Sequence, residues 1–310
     1  MQLQFIPASA TDRAAVAAIL QSPDFRAALA GGPSVADLRA GAAAATANAA
    51  VRQAPPDVAI TELPLGGVAC ESMEAPGADR SRVLLYLHGG AFTRGSLALG
   101  RANAATLAQA SGLRVLAVGY RQAPEHPYPA APDDVRHAYD ALRASGVPAR
   151  AIAVVGESSG GCLALGLAAH LDGQPGAMPA AIAALSPLTD LELRGASWLC
   201  NAATDVADRA MGERMIALYA DARQRQDPLA SPVRHHFRGC CPLLIAIGSH
   251  ETMLSDAEYT ARRADEAGTP VTLRLYEGMP HGFTRMKLAI ANQALAETAA
   301  WCRMQLDQAD

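Results

Sequence analysis

Short apolar runs that alternate with helical stretches constrain the fold of this 310-residue chain more than any other feature. The later runs are continuously apolar, which is typical of strands buried on both faces of a parallel sheet. The stretches between them are long enough for helical crossovers. The predicted strands are 58–65, 68–73, 83–88, 114–120, 151–155, 181–185, 243–248 and 271–276. The pattern predicts an α/β architecture with a mostly parallel, doubly wound sheet of eight strands.

Two regions lie outside this alternation. Residues 1–50 show helical patterns ahead of the first predicted strand, and residues 187–238 show a helical pattern without a clear strand. The second region follows the strand 181–185, so it is inserted at the edge of the sheet where ligands bind in such folds. We therefore expect one catalytic core, made of 51–186 and 239–310, under a helical cap formed by the insertion and the N-terminal helices.

Composition indicates a globular protein and narrows its partners. Half of the residues are hydrophobic, and 26 basic against 30 acidic residues give a net charge of −4. This balance offers no basic surface for nucleic acid. The chain begins without a secretory leader and has no long apolar stretch, so we expect no membrane span and a cytoplasmic location. The six cysteines and the histidines lack metal-ligand spacing, so we expect buried free thiols and no metal.

A strand-turn-helix segment carries the strongest chemical signal. Gly156-Glu157-Ser158-Ser159-Gly160 follows a predicted strand directly and leads into a helical stretch. In such a G-x-S-x-G motif, a sharp turn lifts the serine Oγ above the sheet edge, and the flanking glycines allow the close backbone approach that the turn requires. Ser158 is therefore the candidate nucleophile.

A second glycine motif supplies candidate hydrogen-bond donors. His88-Gly89-Gly90 ends the predicted strand 83–88. The peptide N–H groups of Gly89 and Gly90 can point into a shared space with the N–H of Ser159. Together they would form an oxyanion hole, in which each donor contributes about 3 kcal/mol to transition-state stabilisation.

A third motif supplies the candidate general base. His281 lies in Gly278-Met279-Pro280-His281, just after the last predicted strand. The chain order that accompanies G-x-S-x-G is nucleophile, acid, base, so a carboxylate is required just past the penultimate strand, 243–248. Glu251 and Asp256 both follow that strand. Periodicity does not choose between them.

These motifs resemble those of the hormone-sensitive-lipase-like (bacterial family IV) esterases of the α/β-hydrolase fold. The resemblance spans nearly the whole chain and includes the segments 120–131, 186–191 and 278–281. It implies an α/β-hydrolase fold with a helical cap, a serine-histidine-acid triad and ester hydrolysis without a cofactor. A homodimer is a further implication, and the predicted edge strand 271–276 is where we expect its interface.

The resemblance also bears on the acid. In that family the acid stands about 30 residues before the catalytic histidine, which favours Glu251 over Asp256. The family's usual residue there is Asp, so Glu251 is a departure, and Ala91 stands where a third glycine is common. Glu157 and Ser159 replace the common Asp and Ala. No required group is lost, because Ala91 and Ser159 keep their backbone N–H groups.

The expected function is a serine carboxylesterase that hydrolyses small esters with short to medium acyl chains through an acyl-enzyme intermediate. Pocket candidates are Phe92, Trp198, Met211 and Tyr219, although each of them also fits a role in the cap core. One alternative is a hydrolase of amides, carbamates, lactones or thioesters with the same triad. Another is a non-catalytic ligand-binding protein on this fold, which the presence of His281 argues against.

Overall fold

A single sheet runs through the core of the computed structural model, which describes residues 1–23, 34–46 and 51–309. The strands are β1 Gln2–Ile6, β2 Ala59–Glu62, β3 Cys70–Glu74, β4 Asp79–Leu87, β5 Leu113–Val118, β6 Ile152–Glu157, β7 Ala181–Leu185, β8 Leu243–Gly248 and β9 Val271–Tyr276. Their order in the sheet is β1-β9-β8-β7-β6-β4-β5-β3-β2. Among the described strands only the β2–β3 and β3–β5 pairings are antiparallel, so the sheet is mostly parallel, as predicted.

Helices cover both faces of this sheet. Those described are α1 Ala10–Gln21, α2 Val35–Thr46, α3 Leu97–Ser111, α4 Ala130–Ala144, α5 Ser159–Leu171, α6 Ser197–Cys200, α7 Arg209–Tyr219, α8 Leu254–Glu266 and α9 Ala289–Gln308. Apolar residues of α3 and α9 pack on one face of the sheet. Those of α4, α5 and α8 pack on the other. The two hydrophobic layers confirm the predicted doubly wound α/β architecture.

The sheet has nine strands rather than the eight predicted. The additional strand, β1, pairs in parallel with β9 and forms the edge of the sheet. Its residues are mostly exposed, with Leu3 62% and Phe5 56% accessible, so it lacks the continuously apolar pattern of the buried strands. Consequently the segment 271–276, which we expected to be the edge, is an interior strand.

Two parts of the N-terminal region lie in different places, one packed with the sheet and the other near the cavity. β1 extends the sheet and α1 contributes Val16 to the core, so residues before 22 pack with the sheet rather than over it. In contrast, Arg39 of α2 binds the Glu125 carboxylate and the Thr93 and Ala123 carbonyls above the sheet. The remaining parts of the predicted helical region, 24–33 and 47–50, lie outside the described residues.

The insertion 187–238 contains helices and turns, as its pattern predicted. It includes α6, α7 and two short 3₁₀ helices, and none of its residues forms a strand. Trp198 of α6 is fully buried and its indole N–H donates to Asp256 at the start of α8, over 2.8 Å. This hydrogen bond ties the insertion to the core next to the strand end of β8.

Candidate active site

Ser158 occupies a strained turn between β6 and α5. Its backbone has φ +56° and ψ −118°, a region that residues other than glycine rarely adopt. The two flanking glycines make the turn sterically feasible. A Cβ on Gly156 would lie 2.1 Å from the Gly160 carbonyl oxygen, and a Cβ on Gly160 would lie 2.0 Å from the Leu87 carbonyl oxygen. Only glycine fits at either position, which is the physical basis of the motif.

Three side chains from separate loops meet beside this turn. The Ser158 hydroxyl donates to Nε2 of His281 over 2.9 Å, and Nδ1 of His281 donates to Oε2 of Glu251 over 2.9 Å. The other carboxylate oxygen accepts from the Ser186 hydroxyl at 2.7 Å and from the Gly248 amide at 2.6 Å. With Nδ1 held as a donor, Nε2 is left free to accept the serine proton.

The geometry separates the two candidate acids. Glu251 lies in the loop after β8 and is fully buried against the His281 ring. Asp256 lies within α8, where its carboxylate accepts from the Trp198 indole N–H. Burial raises the pKa of Asp256 to about 6. Glu251 is therefore the candidate acid that contacts His281, and Asp256 anchors the insertion.

A second carboxylate, which sequence reasoning missed, contacts the backbone of the histidine. Asp205 Oδ1 accepts from the His281 amide at 2.6 Å. Its Oδ2 accepts from both the amide and the hydroxyl of Thr252, at 2.7 and 3.0 Å. Asp205 comes from the insertion, in a loop with no motif or periodicity that would identify it. It links the insertion to the two loops that carry Glu251 and His281.

These carboxylates set the proton affinity of His281. Burial on its own lowers the pKa of the imidazole, because it penalises the charged form. The hydrogen bond that His281 donates to Glu251 and the negative charges of Glu251 and Asp205 outweigh burial, so the pKa of His281 lies above its ordinary value. Burial in turn raises the pKa of Glu251, although the bond to His281 opposes that effect. The site thus favours a positively charged imidazole once a proton is taken up.

The residues whose amides are the predicted donors, Gly89, Gly90 and Ser159, all lie close to Ser158. A Cβ on Gly89 would lie 3.1 Å from the Ser158 Cβ, and Gly90 lines the same cavity as Ser158. The Ser159 amide lies at the N-terminus of α5, which is the positive end of the helix dipole. Nδ1 of His88 lies 2.8 Å from the Gly89 carbonyl oxygen. Burial lowers the pKa of His88 to about 4, so this ring is neutral and can hold the glycine loop as a donor.

A cavity of about 110 Å³ opens beside Ser158 and His281. Two of the pocket candidates, Trp198 and Met211, line it together with Leu188 of the insertion and Ala42 of α2. Most of the lining is apolar, so the cavity suits an acyl or alkyl chain.

Phe92 and Tyr219 do not line this cavity, in contrast to the prediction. Their rings stack on each other with centroids 3.9 Å apart, and both side chains are fully buried. The pair forms a packing contact between the loop after β4 and helix α7. This is the alternative role, in the core of the cap, that we expected for such residues from the sequence.

Two arginines in the cavity wall were also missed. Arg94 follows the Gly89-Gly90 motif, and Arg285 follows His281. The guanidinium of Arg285 lies 3.0 Å from the buried carboxylate of Glu157, beside the nucleophile. A charged residue in sequence gives no sign of which way its side chain folds, so no pattern would have identified either one.

All six cysteines are free thiols, including the adjacent Cys240 and Cys241. Cys200 is exposed, in contrast to the prediction that all six are buried, because α6 turns it outward at the surface of the insertion.

Across residues 1–23, 34–46 and 51–309, no cluster of three or more His, Cys, Asp or Glu side chains has the arrangement of a metal site. None of the helices in those same ranges is long and apolar enough to span a membrane.

Comparison with known proteins gives a consistent result over most of the chain. A family profile described as "alpha/beta hydrolase fold" matches residues 84–285. An esterase of Acinetobacter venetianus is 35% identical over 248 residues, which cover 79% of this chain and 82% of that protein. An acetyl-hydrolase of Streptomyces hygroscopicus is 38% identical over 207 residues, 66% of this chain and 69% of that one.

Solved structures share the architecture as well. The crystal structure of an esterase from the bacterial hormone-sensitive lipase family superposes with a TM-score of 0.87 at 32% sequence identity. The match covers 96% of this chain and 99% of that structure. It therefore includes both the sheet and the helices of the insertion.

Proposed function

The chain belongs to the α/β-hydrolase family, among the esterases of the bacterial hormone-sensitive-lipase type, and on this premise we propose that it is a serine carboxylesterase with Ser158, His281 and Glu251 as its triad. The observation that carries the assignment is the continuous hydrogen-bond chain from the Ser158 hydroxyl through both ring nitrogens of His281 to the buried Glu251. No metal or cofactor enters the proposed mechanism.

Acylation begins when the Ser158 Oγ attacks the ester carbonyl and His281 Nε2 takes the hydroxyl proton. The carbonyl oxygen becomes an oxyanion, which the amides of Gly89, Gly90 and Ser159 stabilise. The Glu251 carboxylate stabilises the imidazolium that forms. His281 then protonates the alkoxide leaving group, so an alcohol departs and the acyl group stays on Ser158.

Deacylation repeats these steps with water as the nucleophile. His281 Nε2 removes a proton from water, the hydroxide adds to the acyl carbon, and the proton returns to Ser158 Oγ as the carboxylic acid is released.

The modest, mostly apolar cavity supports short to medium acyl chains as substrates. The same triad would also serve for amides, carbamates, lactones or thioesters, so substrate comparison has to decide between those bonds.

The test is hydrolysis of p-nitrophenyl esters from acetate to palmitate. We expect wild-type activity to peak at short to medium chains, and Ser158→Ala to lower it by at least roughly 10⁴-fold. Ser81→Ala serves as the matched control, because this hydroxyl lies at the exposed start of β4, away from the cavity. Wild-type turnover retained in Ser158→Ala would refute the proposed nucleophile. Absence of wild-type activity on every ester would point to another bond.

Three further expectations accompany this function. We propose that α2 and the insertion together form the cap, since both line the cavity beside Ser158. We propose a cytoplasmic location, which the six free thiols support because such compartments keep cysteines reduced. We also propose a homodimer, with its interface at β1, the exposed edge strand, instead of at β9.

A further inference from the structure

The charge of the cavity wall goes beyond what hydrolysis of a neutral ester requires. The two arginines that line the cavity beside Ser158 differ in their partners. Arg285 is compensated by Glu157, whose carboxylate lies 3.0 Å from the guanidinium Nε and is itself buried. This ion pair leaves no net charge on that side of the cavity.

Arg94 lacks such compensation. Of the residues that the structure describes, none offers its side chain a carboxylate partner, and the charged groups that act on it are the cations Arg285 and Arg214. Arg94 is partly buried, and the loss of water around its guanidinium, together with the two cations, lowers the pKa of Arg94 to about 10. The group is still protonated at neutral pH.

A partly buried guanidinium without an acid partner is unfavourable, because no ion pair offsets the loss of water around its charge. In a binding cavity the missing partner can come from the ligand. Guanidinium groups are suited to carboxylates, with which they form two parallel charge-assisted hydrogen bonds. One uncompensated positive charge also matches a monoanion better than a dianion such as a phosphate monoester.

The position of Arg94 agrees with such a role. It follows the Gly89-Gly90 motif by a few residues, and it shares the cavity wall with Leu99 of α3 and Ala42 of α2. The remaining lining is mostly apolar. A bound ester would therefore have its carbonyl at Ser158, an alkyl segment along the apolar wall and a charged end at Arg94.

From this arrangement we infer that the substrate class is an ester that carries a free carboxylate, which Arg94 binds while Ser158 attacks the ester carbonyl. This inference rests on the proposed function and specifies its substrate. Half-esters of dicarboxylic acids carry the carboxylate on the acyl side. Acyl esters of hydroxy acids carry it on the alcohol side. Both classes offer the same group to Arg94.

Two matched pairs of esters test the inference. Monoethyl adipate is compared with ethyl hexanoate for the acyl side, and acetoxybutanoate with butyl acetate for the alcohol side, with release of acid followed by titration at constant pH. We expect kcat/KM of the charged ester to exceed that of its neutral counterpart in at least one pair. That pair then tells which side of the ester bond faces Arg94.

Substitution at Arg94 identifies the cause of this preference. In Arg94→Gln we expect the ratio of charged to neutral kcat/KM to fall by about tenfold or more, because a charge-assisted hydrogen bond is lost. Arg94→Lys keeps the positive charge but loses the planar guanidinium, which can donate two parallel hydrogen bonds. It should therefore retain part of the preference for the charged ester. Arg80→Gln, at an exposed arginine paired with Glu74 outside the cavity, should leave the ratio unchanged.

The possible results separate the inference from the function on which it rests. Turnover of the neutral esters on the same preparations reports whether each variant has folded. If the wild type hydrolyses neutral esters but prefers neither charged ester, or if the ratio survives Arg94→Gln, the carboxylate site is wrong while the esterase assignment stands. If no ester, charged or neutral, is hydrolysed, the proposed function itself fails.

Discussion

The carboxylate of Glu251 is fully buried yet well supplied with donors. The His281 ring, the Ser186 hydroxyl and the Gly248 amide all donate to it. Burial raises its pKa, and the bonds from His281 and Ser186 oppose that rise. Because a buried charge is tolerated when it is paired and hydrogen-bonded, the acid can remain ionised beside the base. Its role in setting the pKa of His281 can be tested directly.

Replacement of Glu251 by Gln removes the charge and keeps the size. His281 acts as a base only when neutral, so kcat/KM rises with pH as the imidazole loses its proton. Because the negative charge of Glu251 raises the pKa of His281, its loss should move this rise to lower pH. We also expect kcat/KM at neutral pH to fall by roughly 10³–10⁴-fold. The pH profile on p-nitrophenyl butyrate measures both, with Glu251→Asp as the variant that keeps the charge. If the rise of kcat/KM stays at the same pH in Glu251→Gln, the negative charge of Glu251 does not set the pKa of His281.

Asp205 should act in the same direction with a smaller effect. Asp205→Asn removes the second negative charge near His281 and leaves an oxygen for the His281 amide. The acid limb of kcat/KM should again shift to lower pH, and the loss of activity should stay within about a hundredfold, because the triad itself is intact. A loss of activity without any shift of the limb would assign Asp205 a purely structural role.

The residues of the site differ in how far sequence could identify them. Ser158 and His281 lie in motifs whose spacing follows from the chemistry, and the structure brings them within 2.9 Å. The order of the motifs left Glu251 and Asp256 open, since both follow β8. The family resemblance favoured Glu251, and the structure places its carboxylate against His281. Asp205 and Arg94 lie in no motif. Their contacts depend on how the insertion and the glycine loop fold against the core, which local sequence does not encode.

Helix α5 lies unusually close to β4. A Cβ on Gly160 would come within 2.0 Å of the Leu87 carbonyl oxygen, which is backbone and cannot move aside. We therefore expect Gly160→Ala to lower the free energy of unfolding by about 1–3 kcal/mol or more, despite the higher helix propensity of alanine. Urea denaturation measures this change.

Gly212 of α7 is the matched control for that substitution. A Cβ there would lie 2.9 Å from the Leu193 Cδ1, the end of a flexible side chain. Relaxation of that methyl group is inexpensive, so Gly212→Ala should change stability by less than about 1 kcal/mol. Equal effects at both glycines would show that the close approach of α5 to β4 is not what requires glycine.

Elements of the core were predictable where burial left a pattern. The eight strands expected from apolar runs all appear, and seven of them, β3 to β9, are interior strands whose buried faces have to be apolar. β1 has no such requirement, since it is an edge strand with Leu3 and Phe5 exposed. Short exposed strands depend on their neighbour for pairing. β1 therefore becomes recognisable only once β9 is present beside it.

The exposed edge bears on the assembly of the whole molecule. Among the described residues β1 pairs with β9 on one side only, and it adds exposed Leu3 and Phe5 side chains to the backbone edge on the other side. We expect sedimentation equilibrium to give twice the chain mass of 32.1 kDa for the wild type. Substitution of both side chains by Lys should give the monomer mass, because charged side chains on an edge strand disfavour its pairing with the edge strand of a second chain.

Tyr259 provides the control for that experiment. It is also a large exposed side chain, 47% accessible, but it lies on α8 rather than at the sheet edge. Tyr259→Lys should therefore leave the mass unchanged. A monomeric wild type, or a dimer that withstands the double substitution, would contradict an interface at β1.

The attachment of the insertion to the core limits how the protein can be re-engineered. Asp205 of the insertion holds the backbone of His281, and Trp198 holds Asp256 of the core. A chimera that exchanges residues 187–238 for those of a relative would therefore exchange part of the support of the proposed base along with the specificity pocket. Grafts that retain both anchors should transfer substrate range separately from turnover. In this protein the insertion is not an independent module.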